Sequence, residues 1–161
     1  MDEPLIEIER DGYIVSTDRR RLDLESIHRF LSTSYWATGL PMEVLTKAID
    51  GSLVFGVYCG NEQVAFARVV TDRATFAYLC DVYVEEAHRG NGLGRWMMKT
   101  IVAHPDLQGL RRFVLITRDA HWLYDRVGFR PLAAPDRYME IHRPNPYGVA
   151  SSSQDAESFP H

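Results

Sequence analysis

Residues 88–95, His88-Arg89-Gly90-Asn91-Gly92-Leu93-Gly94-Arg95, place three glycines in five positions and flank them with arginines. Each glycine adds backbone freedom that folding must remove, so such a run marks a backbone that something approaches closely. The preceding "TFAYLCDVYV" (75–84) has the β-branched and aromatic content of a strand. In the following "LGRWMMKTIVAH" (93–104), Leu93, Trp96, Met97, Thr100 and Ile101 recur on one helical face, and Pro105 ends the helix. A strand, a glycine turn and a helix in that order make an anion site. The free N–H groups of the first helical turn point outward, along a dipole that favours negative charge.

Three ligands use such a turn. A phosphate-binding GxxxxGK[ST] loop needs a lysine–hydroxyl pair, which this stretch lacks. The dinucleotide fingerprint GxGxxG matches Gly90 and Gly92 but places Arg95 at its third glycine, and hairpins, not a βαβ series, lead into the strand. The pattern [Q/R]xxGx[G/A] fits throughout: Arg89 opens it, Gly92 and Gly94 take its small positions, and Gly90, Asn91 and Leu93 fill variable places.

Outward from the loop, "GYIVST" (12–17) reads as a short strand. "DLESIHRFLSTSYW" (23–36) reads as a helix with Asp23 as N-cap and Leu24, Ile27, Phe30 and Leu31 at helical spacing. Pro41 opens a second helix that runs to Ile49. "SLVFGVYC" (52–59) and "QVAFARVVT" (63–71) are strands joined by the tight turn "GNE". The apolar run "RRFVLIT" (111–117) is a further strand, "DAHWLYDRVG" (119–128) a short helix stopped by Gly128, and "RYMEIHR" (137–143) a last strand. The order β-α-α-β-β-β-α-β-α-β describes an α/β fold with a mixed, mostly antiparallel sheet and helices on both faces. Residues 1–143 read as one domain, and the Ser- and Pro-rich residues 144–161 as a disordered tail.

The 161 residues carry a net charge of −4, which gives no broad footprint for nucleic acid or anionic membrane. No apolar run approaches the roughly 20 residues that span a bilayer. The N-terminus "MDEPLIEIERDG" is too polar for a signal peptide, so the expected location is cytoplasmic. Cys59 and Cys80 stand singly, as buried free thiols would, and the six histidines show no ligand spacing, so no metal is expected.

The approach "DVYVEEAHRGNGLG" (81–94) and the later "DAHWLYDRVGFRPL" (119–132) together resemble the GNAT superfamily of acyl-CoA-dependent N-acyltransferases, and the likeness covers residues 12–142. The resemblance implies acetyl-CoA as co-substrate, its pyrophosphate on the turn Arg89-Gly90-Asn91-Gly92-Leu93-Gly94-Arg95. It implies a splay between the strand 75–84 and the strand 111–117, and a pantetheine arm beside Val82, Tyr83 and Val84. Tyr124 matches the tyrosine that protonates the departing thiolate in many members. Asp119 stands where an asparagine is commoner. It either accepts from a pantetheine amide or caps the helix that follows.

Asp81, a carboxylate inside an apolar strand, is the candidate general base or else a structural acid bonded to a neighbouring loop; Tyr78 and Glu85 are weaker candidates. On the acceptor side, Tyr35 and Trp36 adjoin the flexible Thr38-Gly39 and form either an aromatic wall for an amine or a staple of the first helix, with Arg68 also facing the cleft. The expected reaction is acetyl transfer to a primary amine of a small molecule. A protein amine as acceptor, and a non-catalytic acyl-CoA sensor, remain the alternatives. Relatives of this kind are often homodimers.

Overall fold

The structure is a computed structural model and describes residues 3–148. Its sheet begins with a strand that hydrophobic alternation does not show. β1 (Glu7–Arg10) carries one apolar residue, Ile8, and all four positions are exposed. It pairs with β2 (Tyr13–Ser16) across Asp11-Gly12, both at positive φ, as a two-residue hairpin turn requires. The Asp-Gly pair was therefore the readable signal, and the polar strand takes its form from the ladder of β2.

α1 (Leu24–Thr33) starts where Asp23 accepts the N–H of Ser26 at 3.1 Å, and α2 (Met42–Asp50) follows Pro41. β3 (Leu53–Cys59), β4 (Glu62–Thr71) and β5 (Phe76–Val84) form an antiparallel meander. α3 (Leu93–Val102) leads to β6 (Arg112–Leu115), and α4 (His121–Asp125) closes the regular structure. The six strands lie in the order β1-β2-β3-β4-β5-β6, with only β5 and β6 parallel, so the expected mixed, mostly antiparallel fold class holds.

Period-two alternation divides the strands between two cores. Leu53, Phe55 and Val57 of β3 face the cluster that contains Trp96, Met97 and Ile101 of α3. Val54, with Phe66 and Tyr83, faces Ile27 and Leu31 of α1 and Leu45 and Ile49 of α2.

The expected last strand is not formed. Residues 138–142 have no regular secondary structure and pair with no strand among the described residues, and Met139 and Ile141 are 98% and 86% exposed. Glu140 lies near enough to Tyr78 to help raise its phenol, behind the larger effect of burial, and Tyr147 packs against the α1–α2 cluster. The β-propensity of "RYMEIHR" is real, but its own chain gives it no ladder. Of the tail expected over 144–161, residues 144–147 lie along Tyr35–Thr38, and residues 149–161 fall outside the described residues.

Burial pushes the phenols of Tyr58, Tyr83 and Tyr124 well above their ordinary value of 10.0. A group whose pKa is raised by folding stabilises the native state fully below the unfolded pKa, and that stability is lost as pH climbs above it. Stability is therefore expected to fall steeply above about pH 10, by about 1.4 kcal/mol per pH unit for each phenol that ionises only on unfolding. Denaturant titrations between pH 8 and 12 check this. Tyr58→Phe should flatten the slope at little cost, because the Tyr58 hydroxyl has no hydrogen-bond partner.

Candidate active site

The sheet opens at one residue. In the β4–β5 ladder Phe66 opposes Tyr83 and Arg68 opposes Cys80, so β5 holds one residue more than β4 between them. Asp81 lies in this bulge at φ +56°, a left-handed conformation that is rare outside glycine. Bulges bend and twist the strand that carries them. The parallel pairing of β5 with β6 runs from Phe76–Arg112 to Leu79–Leu115 and stops there, immediately before the bulge. Beyond it, the β5 edge over Val82–Val84 faces a gap in place of a strand.

The Asp81 side chain locks this bend. Its Oδ2 accepts Arg68 Nε at 2.6 Å and its Oδ1 accepts Trp36 Nε1 at 3.0 Å. Arg68 reaches on to Ser52 Oγ at 3.1 Å, and Ser52 donates to the Ala48 carbonyl at the end of α2. Sequence alone left Asp81 as base or structural acid. In the structure it ties the α1–α2 loop to the sheet.

At the far end of β5 the chain turns through Glu86–His88 into the glycine loop. Gly90 and Gly92 have φ of +85° and +74°, so the backbone itself demands glycine at both, including the place that the motif treats as variable. Gly94 is different. A Cβ there would meet only Leu123 and Val84, at 3.8 Å, which is ordinary contact. Gly92 is the N-cap of α3 and offers no side-chain cap, so the first-turn N–H groups are left to an external acceptor. Arg89 holds the loop by donating from Nε to the Val84 carbonyl at 2.9 Å.

A cavity of about 680 Å³ joins these parts. Val82, Tyr83 and Val84 form one side, and Arg89, Gly90, Gly92, Leu93, Gly94 and Arg95 one end. Trp36 and Tyr124 close the other side. The cavity also takes in Phe30, which stacks on Tyr83 at 3.8 Å between ring centres, together with His88 and Arg126. No Asp or Glu lines it among the described residues. Tyr124 is buried on α4, and that burial raises its phenol pKa, so it holds its proton at any working pH.

Five expected site residues lie outside the cavity. Asn91 turns back to the His88 carbonyl, and Arg68 and Asp81 are engaged with one another. Tyr35 lies in the neighbouring cleft under Pro144–Tyr147, with the Arg118 guanidinium 4.0 Å above its ring. Asp119 sits 3.6 Å from Arg118 and does not cap α4, whose N-cap is Ala120. Sequence reasoning missed Phe30, His88 and Arg126, although His88 abuts the glycine motif and Arg126 lies two positions after Tyr124. It also missed Arg10, whose Nη2 is 3.5 Å from the Gly92 carbonyl and whose guanidinium lies 4.6 Å from the Trp96 ring centre. Arg10 belongs to the unforeseen β1, so no sequence signal pointed to it.

A split mixed sheet with a cationic helix N-terminus at one end of the split and a protonated tyrosine across it defines a class of protein. Residues 50–131 match the acetyltransferase (GNAT) domain. A candidate acetyltransferase of Gibberella zeae is 36% identical over 140 residues, covering 73% of this chain and 78% of that protein. The crystal structure of a candidate GNAT-family acetyltransferase from Xanthomonas campestris is 49% identical and superposes with a TM-score of 0.84, covering 88% of this chain and 100% of that one. A candidate acetyltransferase of Clostridium acetobutylicum, solved with acetyl-CoA, shares the fold at 17% identity, covering 81% of this chain and 94% of that one, with a TM-score of 0.59. The chain belongs to the GNAT acetyltransferase family and is an acyltransferase.

No helix among the described residues is long and apolar enough to cross a membrane. Cys80 is buried, which pushes its thiol up to about 12, and Cys59 is partly buried; both are free. Removing one partner of the Arg68–Asp81 pair leaves a charge without its counterion. Asp81→Asn is therefore expected to lower the unfolding free energy by about 3 kcal/mol, measured by urea denaturation. Trp36→Phe, which leaves the pair intact, should cost less than half as much.

Proposed function

We propose that this enzyme transfers the acetyl group of acetyl-CoA to a primary amine carried on a small apolar body. The observation that carries the reading is the single cavity in which the α3 N-terminus, the open edge of β5 and Tyr124 meet. Acetyl-CoA fits its parts in order. The pyrophosphate accepts from the bare N–H groups after Gly92, with Arg89, Arg95 and Arg126 supplying counter-charge. The pantetheine amides add to the Val82–Val84 edge as a strand would. The Clostridium acetobutylicum relative, solved with acetyl-CoA in the same fold, supports this donor.

Gly94 supports it in a second way. Packing within the chain tolerates a methyl group there, so the lack of a side chain serves a ligand pressed against the first turn of α3.

Transfer then needs a neutral amine and a stabilised leaving group. An amine of pKa about 10 is roughly 0.1% deprotonated at pH 7. Both oxygens of Asp81 already carry donors and no carboxylate lines the cavity among the described residues, so the proton of the attacking amine passes to water. Asp81 acts as a positioning residue that holds Trp36 in the acceptor wall. As the C–S bond breaks, Tyr124 donates its hydrogen bond, and then its proton, to the thiolate of CoA. Phe30, Trp36 and Tyr83 offer aromatic faces in place of acids, which suits an amine with an apolar or aromatic body. Turnover of a panel of small amines, followed by CoA release, tests the reading. Saturable acetyl-CoA binding with no release on any amine would leave a sensor instead.

Tyr124→Phe is expected to lower kcat by about 100-fold or more while KM for acetyl-CoA stays within about twofold. In the unaltered enzyme, kcat/KM should rise tenfold per pH unit as the free amine accumulates. No falling limb from Tyr124 should appear below pH 10, because its phenol is raised. An unchanged kcat in the variant would remove Tyr124 from the proton-donor role.

Gly94→Ala should fold with an unaltered melting temperature yet bind acetyl-CoA at least tenfold more weakly by calorimetry. Gly92→Ala should instead destabilise the fold by about 1–2 kcal/mol, because alanine is strained at positive φ.

A further inference from the structure

In the proposed transfer, the thiolate of CoA meets Tyr124, the pantetheine lies on the β5 edge and the pyrophosphate on the α3 N-terminus. The adenosine half then leaves past the glycine loop, at the rim of the cavity. An indole stands on that rim. Trp122 lines the cavity yet is 64% exposed, whereas Trp36 is half-buried and Trp96 is buried in the core under α3. An aromatic side chain of this kind carries roughly 150–250 Å² of mostly apolar surface. Packing within the chain leaves most of it to water.

Two features place this ring beside the nucleotide. Trp122 precedes Tyr124 by two positions on α4, so the two side chains leave the helix roughly 200° apart. Tyr124 is buried in the split, and Trp122 stays at its mouth. The first turn of α3 touches the same stretch of α4: a Cβ at Gly94 would lie 3.8 Å from Leu123, the residue after Trp122. The indole therefore stands next to the turn to which the pyrophosphate is assigned.

Arg126, four positions beyond Trp122, lines the same cavity, and no Asp or Glu lines it among the described residues. A flat apolar ring open to water, with a cation close by and no acid, matches the chemistry of a nucleotide. The base stacks on the ring, and phosphate answers the cation.

We propose that Trp122 stacks on the adenine of the donor and makes the nucleotide half of CoA a requirement for tight binding. The proposal rests on acetyl-CoA as donor and narrows the donor class. A free acyl-CoA thioester is accepted. The same acyl-pantetheine arm without a nucleotide, as a carrier protein would present it, lacks the group that Trp122 holds.

Calorimetry with CoA and with 4′-phosphopantetheine tests this directly. The unaltered protein should bind CoA at least about tenfold more tightly than 4′-phosphopantetheine. Trp122→Ala should bind CoA about tenfold more weakly, with affinity for 4′-phosphopantetheine changed by less than about twofold. Trp122→Phe keeps an aromatic face and should retain most of the preference. Because Trp122 is exposed, both variants should keep the thermal transition of the unaltered protein. Adenosine 3′,5′-bisphosphate, which has no pantetheine, should quench the indole fluorescence of the unaltered protein and leave that of Trp122→Phe unchanged. A preference for CoA that survives Trp122→Ala undiminished would overturn the proposal. Equal affinity of the unaltered protein for the two ligands would do the same, and either result leaves acetyl-CoA as the donor. Failure of both ligands to bind would instead overturn the donor reading, and the proposal with it.

Discussion

One extra residue in β5 governs the rest of the molecule. A regular β5 would continue its parallel ladder with β6 beyond Leu79, and the sheet would be closed where the cavity lies. The bulge at Asp81 forces that strand to bend, at the cost of a non-glycine residue in the left-handed region. The surroundings over-determine it. Two buried charge-assisted bonds hold the carboxylate, and through Arg68 and Ser52 they connect the bend to the end of α2. A bend secured this firmly leaves the β5 edge open permanently, with no closing strand to be displaced when a ligand arrives.

The same bend sets the second half of the site. Past the bulge, β5 continues to Val84 on a course of its own, and the chain enters the glycine loop from there. The loop ends one cavity length from Trp36, and Trp36 is itself held by Asp81. The donor end and the acceptor wall are therefore registered to one carboxylate. This explains why an acid sits in an apolar strand without needing to take a proton. In the proposed transfer its contribution is geometric, with the chemistry left to water and to a tyrosine whose burial raises its pKa.

The legible and illegible parts of this chain divide on physical grounds. The glycine loop, the two helical faces and the three-strand meander were readable because each is fixed by residues adjacent in sequence. Tyr124 was readable through a local motif, and Asp81 stood out as a charge inside an apolar strand. The role of Asp81 was not readable, because its partners Trp36 and Arg68 come from elements 45 and 13 positions away. Arg10 was invisible for a related reason: it lies on a polar strand that only its neighbour β2 makes a strand. Gly90 and Gly94 exchanged significance. Motif register made Gly94 the required position, whereas backbone conformation demands glycine at Gly90 and packing within the chain does not demand it at Gly94.

The segment 137–143 shows the limit in the opposite direction. Its sequence has the composition of a strand, and within one chain no strand forms. Strand propensity measures fit to a pleated, half-buried surface, so it reports that an edge is expected without saying whose edge it is. Within one chain that edge is not supplied, and Tyr147 beyond the segment packs against the α1–α2 cluster. α4 has only five residues and lines the cavity of about 400 Å³ that it shares with β6. A helix that short has little stability of its own. The position of Tyr124 then depends on its packing in the core that α3 shares with the sheet.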